Sequence, residues 1–248
     1  GKYIGLSRDG TTFYMAGSLS EDAGAVFAVD LATGAQTILA QDPNCDVENV
    51  FVHPVTREIQ AVGFYKEKLE WQVLDPRIAG DFTALAKVRE GEFSVVQPPW
   101  ESPILFSKSL GRRDLADQRW IVSYETDEGA THYYLYERSS KTASLLFSER
   151  PKLSTLKLAR MRPVVYQSRD GLTIHGYLTV PAGSAGKNLP TVVLVHGGPW
   201  ARDRWGYYDA VQWLANRGYA VLQVNYRGSS GYGRKFVTAS YKEWGGKM

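Results

Sequence analysis

The sequence predicts two regions of different fold class, an all-β region over residues 1–160 and an α/β region over residues 161–248. Three observations support this division. Up to about residue 150, short aromatic and β-branched runs alternate with turn residues, and helical periodicity is almost absent. Later in the chain, a strand, a helix and a strand follow one another. The charge also changes, because the first region holds 18 Lys and Arg against 22 Asp and Glu, and the second holds 11 against 4.

The overall composition excludes several classes of protein. A net charge of +3 over 248 residues, with short mixed-charge stretches such as Lys66-Glu67-Lys68, does not indicate a nucleic-acid partner. The longest apolar runs are far shorter than the roughly 18 residues of a membrane span, so no membrane partner is expected. Cys45 is the single cysteine, which excludes an intrachain disulfide. No spacing typical of a metal site or of a nucleotide-binding loop occurs, so neither a metal nor a cofactor is expected.

Three similar segments predict repeated β-structure in the first region. Each is an aromatic-rich run that ends in an acidic residue at a turn, and the three cover Val26–Asp30, Trp71–Asp75 and Tyr133–Glu137. Their acids are 45 and 62 residues apart, near the roughly 40–50 residues of a four-stranded propeller blade. About three blades fit into this region, whereas closed propellers have about four to eight. An incomplete all-β propeller portion is therefore predicted, with a β-sandwich as the alternative.

The second region combines a hairpin with a crossover unit. Its predicted elements are strands over 164–168 and 172–178, a strand over 191–195, a helix over 208–217 and a strand over 219–224. The turn Arg169-Asp170-Gly171 joins the first two strands. The strand over 191–195 is a continuous β-branched run, typical of a strand buried on both faces. Strand, helix and strand in this order predict a parallel pair joined by a crossover.

The segment His196-Gly197-Gly198-Pro199-Trp200 directly follows the first buried strand. In such a sheet, ligands bind outside the carboxyl ends of the strands. Two glycines let the backbone approach a substrate with its N–H groups exposed, and such donors stabilise the oxyanion of a tetrahedral acyl intermediate. A plain turn between strand and helix is the alternative. The position after a buried strand favours an oxyanion hole.

Three segments together resemble the start of the catalytic domain of the prolyl oligopeptidase family of serine peptidases. They are Arg169–Leu178, Val195–Trp200 and Gly218–Gly233. The resemblance is closest to the acylaminoacyl-peptidase and dipeptidyl-aminopeptidase branch, and it covers residues 163–248 closely and the first region only as a generic propeller. It implies a propeller portion followed by the N-terminal part of an α/β-hydrolase domain. It also implies a serine peptidase that hydrolyses short peptides by acyl transfer.

The resemblance assigns roles to the glycine loop. Carried over by position, it implies that Gly198 supplies one N–H of the oxyanion hole and that His196 and Gly197 shape the loop. It also implies that four residues lie near the substrate: Pro199, Trp200, Tyr226 and Arg227.

The catalytic triad is not found in this sequence. A nucleophile elbow requires Gly-x-Ser-x-Gly, and the nearest match, Gly228–Tyr232, has a tyrosine in place of the second glycine. It is interpreted as a flexible loop. His53, His132 and His175 are interpreted as structural. Because the family places its serine, aspartate and histidine later, all three are expected beyond Met248. The chain is thus expected to be a fragment that ends before the elbow and is inactive alone.

Two other functions remain open on the sequence. One is a non-catalytic propeller protein that binds a partner and keeps a hydrolase remnant. The other is an esterase or lipase, which also uses a His-Gly-Gly loop, although such enzymes do not need 160 β-rich residues in front of it. A peptide substrate is the expected partner. The type of peptide cleavage, the compartment and the oligomeric state are not assigned.

Overall fold

The computed structural model of the protein describes residues 1–18, 22–95 and 113–248. The chain forms two compact units. The first unit comprises Gly1–Tyr124 and His132–Ser148, and the second comprises Glu125–Thr131 and Glu149–Met248. The division assigns the tip of one β-hairpin to the second unit, although most of both its strands lies in the first.

The described residues of the first unit form three sheets in which neighbouring strands follow chain order. The first sheet is β1 (Lys2–Leu6), β2 (Thr12–Gly17), β3 (Ala25–Asp30) and β4 (Gln36–Gln41). The second sheet is β5 (Val47–Val52), β6 (Ile59–Tyr65) and β7 (Leu69–Val73). The third sheet is β8 (Glu92–Val95), β9 (Arg119–Thr126), β10 (Gly129–Glu137) and β11 (Thr142–Ser148). The three similar segments of the sequence lie largely in β3, β7 and β10, so their prediction as strands is confirmed.

Helix α1 (Pro76–Leu85) interrupts the β-structure of the first unit. The Asp75 side chain accepts a hydrogen bond from the Arg77 N–H, and Pro76 occupies the first turn, where no N–H is needed. The buried residues Ile78, Phe82 and Leu85 recur with helical spacing. The expectation that helices are almost absent before residue 150 is therefore wrong at this helix.

A buried ionic network stabilises the polar part of the first unit. Arg113 is a buried residue, with 5% of its surface exposed. The central carbon of its guanidinium group lies 4.2 Å from the ring centre of Phe51. Its Nε donates to Asp117 Oδ1 at 2.6 Å. Asp117 also accepts from Arg138 Nη1 at 2.7 Å and from Trp120 Nε1 at 2.8 Å. Each buried charge thus has oppositely charged and hydrogen-bonding neighbours, which its burial requires.

The second unit is built on one mixed sheet. Its strands are β12 (Met161–Gln167), β13 (Thr173–Thr179), β14 (Thr191–Val195) and β15 (Ala220–Asn225), and its helices are α2 (Asp209–Ala215) and α3 (Arg234–Thr238). The order across the sheet is β12-β13-β15-β14. β14 and β15 are parallel, whereas β12, β13 and β15 pair antiparallel. The predicted hairpin and the predicted parallel pair with its crossover helix are both present.

Gln212 of helix α2 fixes the segment that leads into the sheet. Its Oε1 accepts from the Ala159 N–H at 2.9 Å, and its Nε2 donates to the carbonyl oxygens of Ala159 and Asp127 at 2.8 and 2.9 Å. The Asp127 carboxylate in turn accepts from the Met161 N–H at 2.7 Å. One amide and one carboxylate thus hold the hairpin tip, helix α2 and the start of β12 together.

The predicted fold class, an incomplete propeller followed by the N-terminal part of an α/β-hydrolase domain, is wrong. The described residues form four separate sheets with few helices and no closed propeller. In the second unit a single parallel pair adjoins an antiparallel hairpin, and the helices span seven and five residues. One crossover predicts one parallel pair and does not establish the sheet of an α/β-hydrolase. The strand over 191–195, predicted to be buried on both faces, instead alternates exposed and half-buried residues in β14. No helix among the described residues is long and apolar enough to cross a membrane.

Candidate functional site

Two loops meet at the carboxyl edge of the parallel pair. Val195 at the end of β14 is aligned with Val224 near the end of β15. Because the strands run in the same direction, the segments after them leave the sheet at the same edge. The glycine loop, defined as residues 196–200, and the serine loop, defined as residues 226–230, therefore lie side by side.

Gly198 has a backbone conformation that favours glycine. Its φ is +146°, and a Cβ added there would lie 2.8 Å from the Trp200 nitrogen and 3.2 Å from the Ala201 nitrogen. Gly197 and Gly198 are both exposed. Among the residues that the structure describes, the N–H groups of these two glycines donate to no other residue. The loop therefore presents two accessible backbone donors.

His196 joins the two loops through its imidazole. Its Nδ1 is 2.9 Å from the Gly197 carbonyl oxygen, and its Nε2 is 2.9 Å from Ser229 Oγ. Ser229 is fully buried, and its hydroxyl donates to the Tyr226 carbonyl oxygen at 2.7 Å. The His196 side chain thus connects the glycine loop to the serine loop through hydrogen-bond contacts.

Tyr226 contacts His196 from a second direction. The two rings are stacked with centroids 4.6 Å apart, and the Tyr226 hydroxyl donates to the His196 carbonyl oxygen at 3.0 Å. Desolvation raises the pKa of Tyr226, and nearby Asp203 adds to the effect. The phenol therefore stays protonated and remains a donor at neutral pH.

Asn225 and Asp203 hold the chain after the glycine loop. Asn225 is fully buried. Its Oδ1 accepts a hydrogen bond from the Asp203 N–H at 2.7 Å. Its Nδ2 donates to the Asp203 carbonyl oxygen at 3.0 Å and to the Tyr232 hydroxyl at 2.8 Å. Burial raises the pKa of the Asp203 carboxyl, while His196 acts in the opposite direction. The glycine loop is therefore anchored at both of its ends.

The other predicted site residues lie in different surroundings. Pro199 is buried, and a Cβ on Gly228 would lie 3.3 Å from its Cβ, so the two loops pack closely there. Trp200 is 63% exposed. Arg227 is buried, and its Nη2 donates to Asp170 Oδ1 at 2.6 Å in the turn between β12 and β13. The Arg227 guanidinium is thus engaged within the protein.

Sequence reasoning missed Ser229, Asn225 and Asp203. It treated Ser229 as part of a flexible loop, whereas the side chain is buried and contacts His196. A signal was available for Ser229, because a segment that follows a strand parallel to β14 leaves the sheet at the same edge as the glycine loop. In the parts of the chain that the structure describes, no three His, Cys, Asp or Glu side chains are grouped as metal ligands.

Comparison with known proteins points to one family. A sequence model described as "Prolyl oligopeptidase family" matches residues 205–248. The chain is also 42% identical over 251 residues to dipeptidyl aminopeptidase BIII of Pseudoxanthomonas mexicana, an alignment that covers 98% of this chain and 34% of that protein. The chain is similar to members of the prolyl oligopeptidase family. The predicted resemblance is thereby confirmed.

The chain is also similar to a second curated protein and to several solved structures. Dipeptidyl peptidase family member 6 of Caenorhabditis elegans is 32% identical over 232 residues, which cover 85% of this chain and 30% of that protein. Acylaminoacyl peptidase of Pyrococcus horikoshii shares the fold with a TM-score of 0.61 at 19% identity, over 96% of this chain and 35% of that one. Dipeptidyl peptidase 4 of Porphyromonas gingivalis shares the fold with a TM-score of 0.64 at 14% sequence identity, over 94% of this chain and 32% of that one. The chain spans about a third of the length of the curated relatives it matches.

Proposed function

We propose that the protein carrying this chain is a serine-type peptidase that removes dipeptides from the amino termini of short peptides. The two curated relatives with the broadest alignments are named as a dipeptidyl aminopeptidase and a dipeptidyl peptidase, which supports this substrate class. The reaction is acyl transfer, in which a serine oxygen attacks the peptide carbonyl carbon and the amine leaves.

The glycine loop supplies electrostatic stabilisation in this proposal. As the carbonyl carbon becomes tetrahedral, its oxygen gains negative charge, and the Gly198 N–H donates to it. His196 and Gly197 hold the loop in shape. The observation that carries the proposal is the pair of exposed glycine N–H groups at the carboxyl edge of β14, with Gly198 at a φ of +146°. Donors that are fixed beforehand do not need to reorganise during the reaction.

Residues beside the loop have supporting roles in the proposal. Pro199 and Trp200 follow the donors directly and flank the acyl group, and the exposed indole of Trp200 offers an apolar surface to a substrate side chain. Tyr226 and Arg227 act from the serine loop, Tyr226 through His196 and Arg227 through its ion pair with Asp170. Because the sequence has no Gly-x-Ser-x-Gly, the proposal places the nucleophile outside these 248 residues.

The proposal is tested on the full-length protein that contains this chain. Dipeptidyl 4-nitroanilides should be hydrolysed, and the same compounds with an acetylated amino terminus should not. Gly198→Ala keeps the N–H, but its Cβ would lie 2.8 Å from the Trp200 nitrogen at a φ of +146°, so the loop must shift and the donor is displaced. This should lower kcat by up to the roughly 10²–10³-fold expected for one lost oxyanion donor. Gly5→Ala, at an open position on β1, is the matched control and should leave kcat unchanged.

Two results would contradict the proposal. One is equal hydrolysis of free and acetylated substrates, which would exclude release of dipeptides from a free amino terminus. The other is a folded Gly198→Ala variant with unchanged kcat. The isolated 248-residue chain is expected to be inactive, and turnover above that of its Gly198→Pro variant would refute this expectation.

A further inference from the structure

The second unit contains a cavity that lies outside the glycine and serine loops. Its volume is about 150 Å³, and its lining residues come from the hairpin tip, the following linker and the segment before helix α2: Glu125, Thr126, Gly129, Ala130, Thr131, Glu149, Arg150 and Tyr207. None of the residues assigned to the proposed peptidase reaction is among them. The cavity is therefore a separate feature of the unit.

The ionisable groups of this cavity favour a cation. Glu125 and Glu149 both line it, and both residues are exposed, so their carboxylates are accessible to a cation from solvent. Desolvation by the neighbouring groups raises the pKa of the Glu125 carboxyl, and repulsion from Glu149 adds to this rise. Arg204 opposes this shift. Among the described lining residues the cation is Arg150, which forms an ion pair with Asp209, and this contact lowers the pKa of the Asp209 carboxyl. The charge of Arg150 is thus neutralised from outside the cavity.

Thr126 provides a second, independent indication of a ligand. The residue is 7% exposed, and among the described residues its Oγ1 has no hydrogen-bond partner. Buried hydroxyl groups are nearly always hydrogen-bonded, because water solvates them in the unfolded chain. Gly129 faces this oxygen directly, since a Cβ added there would lie 3.5 Å from it. An unsatisfied acceptor therefore lies in the wall of an acidic cavity.

The size and donor set decide which kind of cation fits. A water molecule takes about 30 Å³ in the liquid, so the cavity has room for roughly five non-hydrogen atoms. A bare metal ion is disfavoured, because no group of three His, Cys, Asp or Glu within the described ranges is arranged to hold one. An alkylammonium group carries three N–H donors, which match a carboxylate and a hydroxyl oxygen.

We propose that this cavity binds a small organic ammonium group, with Glu125 and Thr126 accepting its N–H donors and Glu149 adding negative charge. The alkyl part then lies against Ala130 and the ring of Tyr207. This inference does not depend on the proposed peptidase function, because it concerns binding alone.

The test is a calorimetric titration of the 248-residue chain with propylammonium chloride at constant ionic strength. Saturable binding is expected. Propan-1-ol has the same number of non-hydrogen atoms without the charge, and tetramethylammonium has the charge without N–H donors, so both should bind more weakly. Equal binding of propylammonium and propan-1-ol, or no saturable binding of propylammonium, would overturn the proposal.

Variants locate the site. Thr126→Val keeps the side-chain shape and should weaken propylammonium binding about fivefold, the effect of one hydrogen bond. Gly129→Ala puts a methyl group beside Thr126 Oγ1 and should abolish binding. The matched control is Glu128→Gln, a charge change on the same hairpin tip, where Glu128 pairs with Arg160 and does not line the cavity. Unchanged binding by folded Thr126→Val and Gly129→Ala would place the ligand elsewhere.

A further titration distinguishes two kinds of ligand that carry the same ammonium group, a lysine side chain and a free alkylamine. Nα-acetyl-lysinamide carries its ammonium on a peptide-like side chain, and propylammonium is a free alkylamine. Tighter binding of the lysine compound assigns the site to a protein or peptide lysine. Tighter binding of propylammonium assigns it to a free amine, and equal weakness of both relative to propan-1-ol contradicts the proposal.

Discussion

The imidazole of His196 lies stacked on the ring of Tyr226, with centroids 4.6 Å apart and planes inclined by 23°. The same tyrosine donates its hydroxyl hydrogen to the His196 carbonyl oxygen. A single residue of the serine loop thus restrains both the side chain and the backbone at the start of the glycine loop. This arrangement restrains the backbone of the glycine loop just before Gly198.

Tyr226→Phe should lower the free energy of unfolding by about 0.5–1.5 kcal/mol, the net value of one hydrogen bond. The stacking on His196 is retained in this variant. Tyr226→Leu should cost more, because stacked aromatic pairs contribute about a further 0.5–1.5 kcal/mol. Urea unfolding of the chain measures both. Tyr219→Phe, at a partly exposed tyrosine just before β15, serves as the control, and an equal loss in it would contradict the assignment.

Ser229→Ala should destabilise the protein by about 1–3 kcal/mol, because His196 Nε2 loses its partner at a fully buried position, while the Tyr226 carbonyl oxygen keeps only the Ser229 N–H. The adjacent Ser230→Ala should change the free energy of unfolding by less than about 0.5 kcal/mol. Nitrogen NMR of the His196 ring should shift in the first variant and not in the second. Identical spectra for both variants would show that Ser229 does not position the imidazole.

Stability should fall in acid through the Asp170 and Arg227 pair. The Arg227 guanidinium and the Ser168 hydroxyl hold the pKa of Asp170 well below its ordinary range. The folded state therefore binds its proton at lower pH than the unfolded state, whose pKa is about 3.9. The stabilisation is complete above that value and is lost as the pH falls through the folded-state pKa.

Thermal midpoints measured from pH 7 downwards check this pH dependence. The difference between the natural chain and Asp170→Asn should be constant near neutral pH and should shrink below about pH 4. Arg227→Gln removes the other partner and should weaken the same pH dependence. A difference that stays constant into acid would exclude the ion pair as its source.

Asp117→Asn should be the most destabilising of these variants, with a loss of about 3–5 kcal/mol, because Arg113 would keep a buried charge without its counter-ion. Asp117 has a φ of +54°, a conformation that asparagine tolerates, so the change isolates the charge. Glu137→Gln breaks the exposed pair with Arg119 and should cost about 1 kcal/mol or less. Equal losses in the two variants would show that burial does not strengthen the Asp117 interactions.

The parts of the fold that local pattern controls could be predicted from the sequence. The β-branched run at 191–195 and the strand before Asn225 were placed within a residue or two, and their parallel pairing followed from the helix between them. Helix α1 could also have been found, since Asp75 and Pro76 are a strong helix start. The arrangement of whole sheets could not, because one crossover does not determine how many strands surround it.

In the candidate site too, local pattern predicts some residues, and others depend on contacts between distant parts of the chain. Gly198 could be selected from its glycine neighbours and its position after a strand. Ser229 could not, since its importance comes from burial and from a contact with His196, 33 residues earlier in the chain. Arg227 illustrates the opposite case, because its partner Asp170 lies in a turn 57 residues away and nothing in the local sequence joins the two.

The three hydrogen bonds of Gln212 have a consequence for genetic variation. Every glutamine codon becomes a glutamate codon by one nucleotide change, so Gln212→Glu is readily reached by mutation. The carboxylate would keep the bond from the Ala159 N–H and would place a negative oxygen against the carbonyl oxygens of Ala159 and Asp127, where an amide now donates. A population of such genes should therefore lose this variant, although it preserves size, shape and helix propensity.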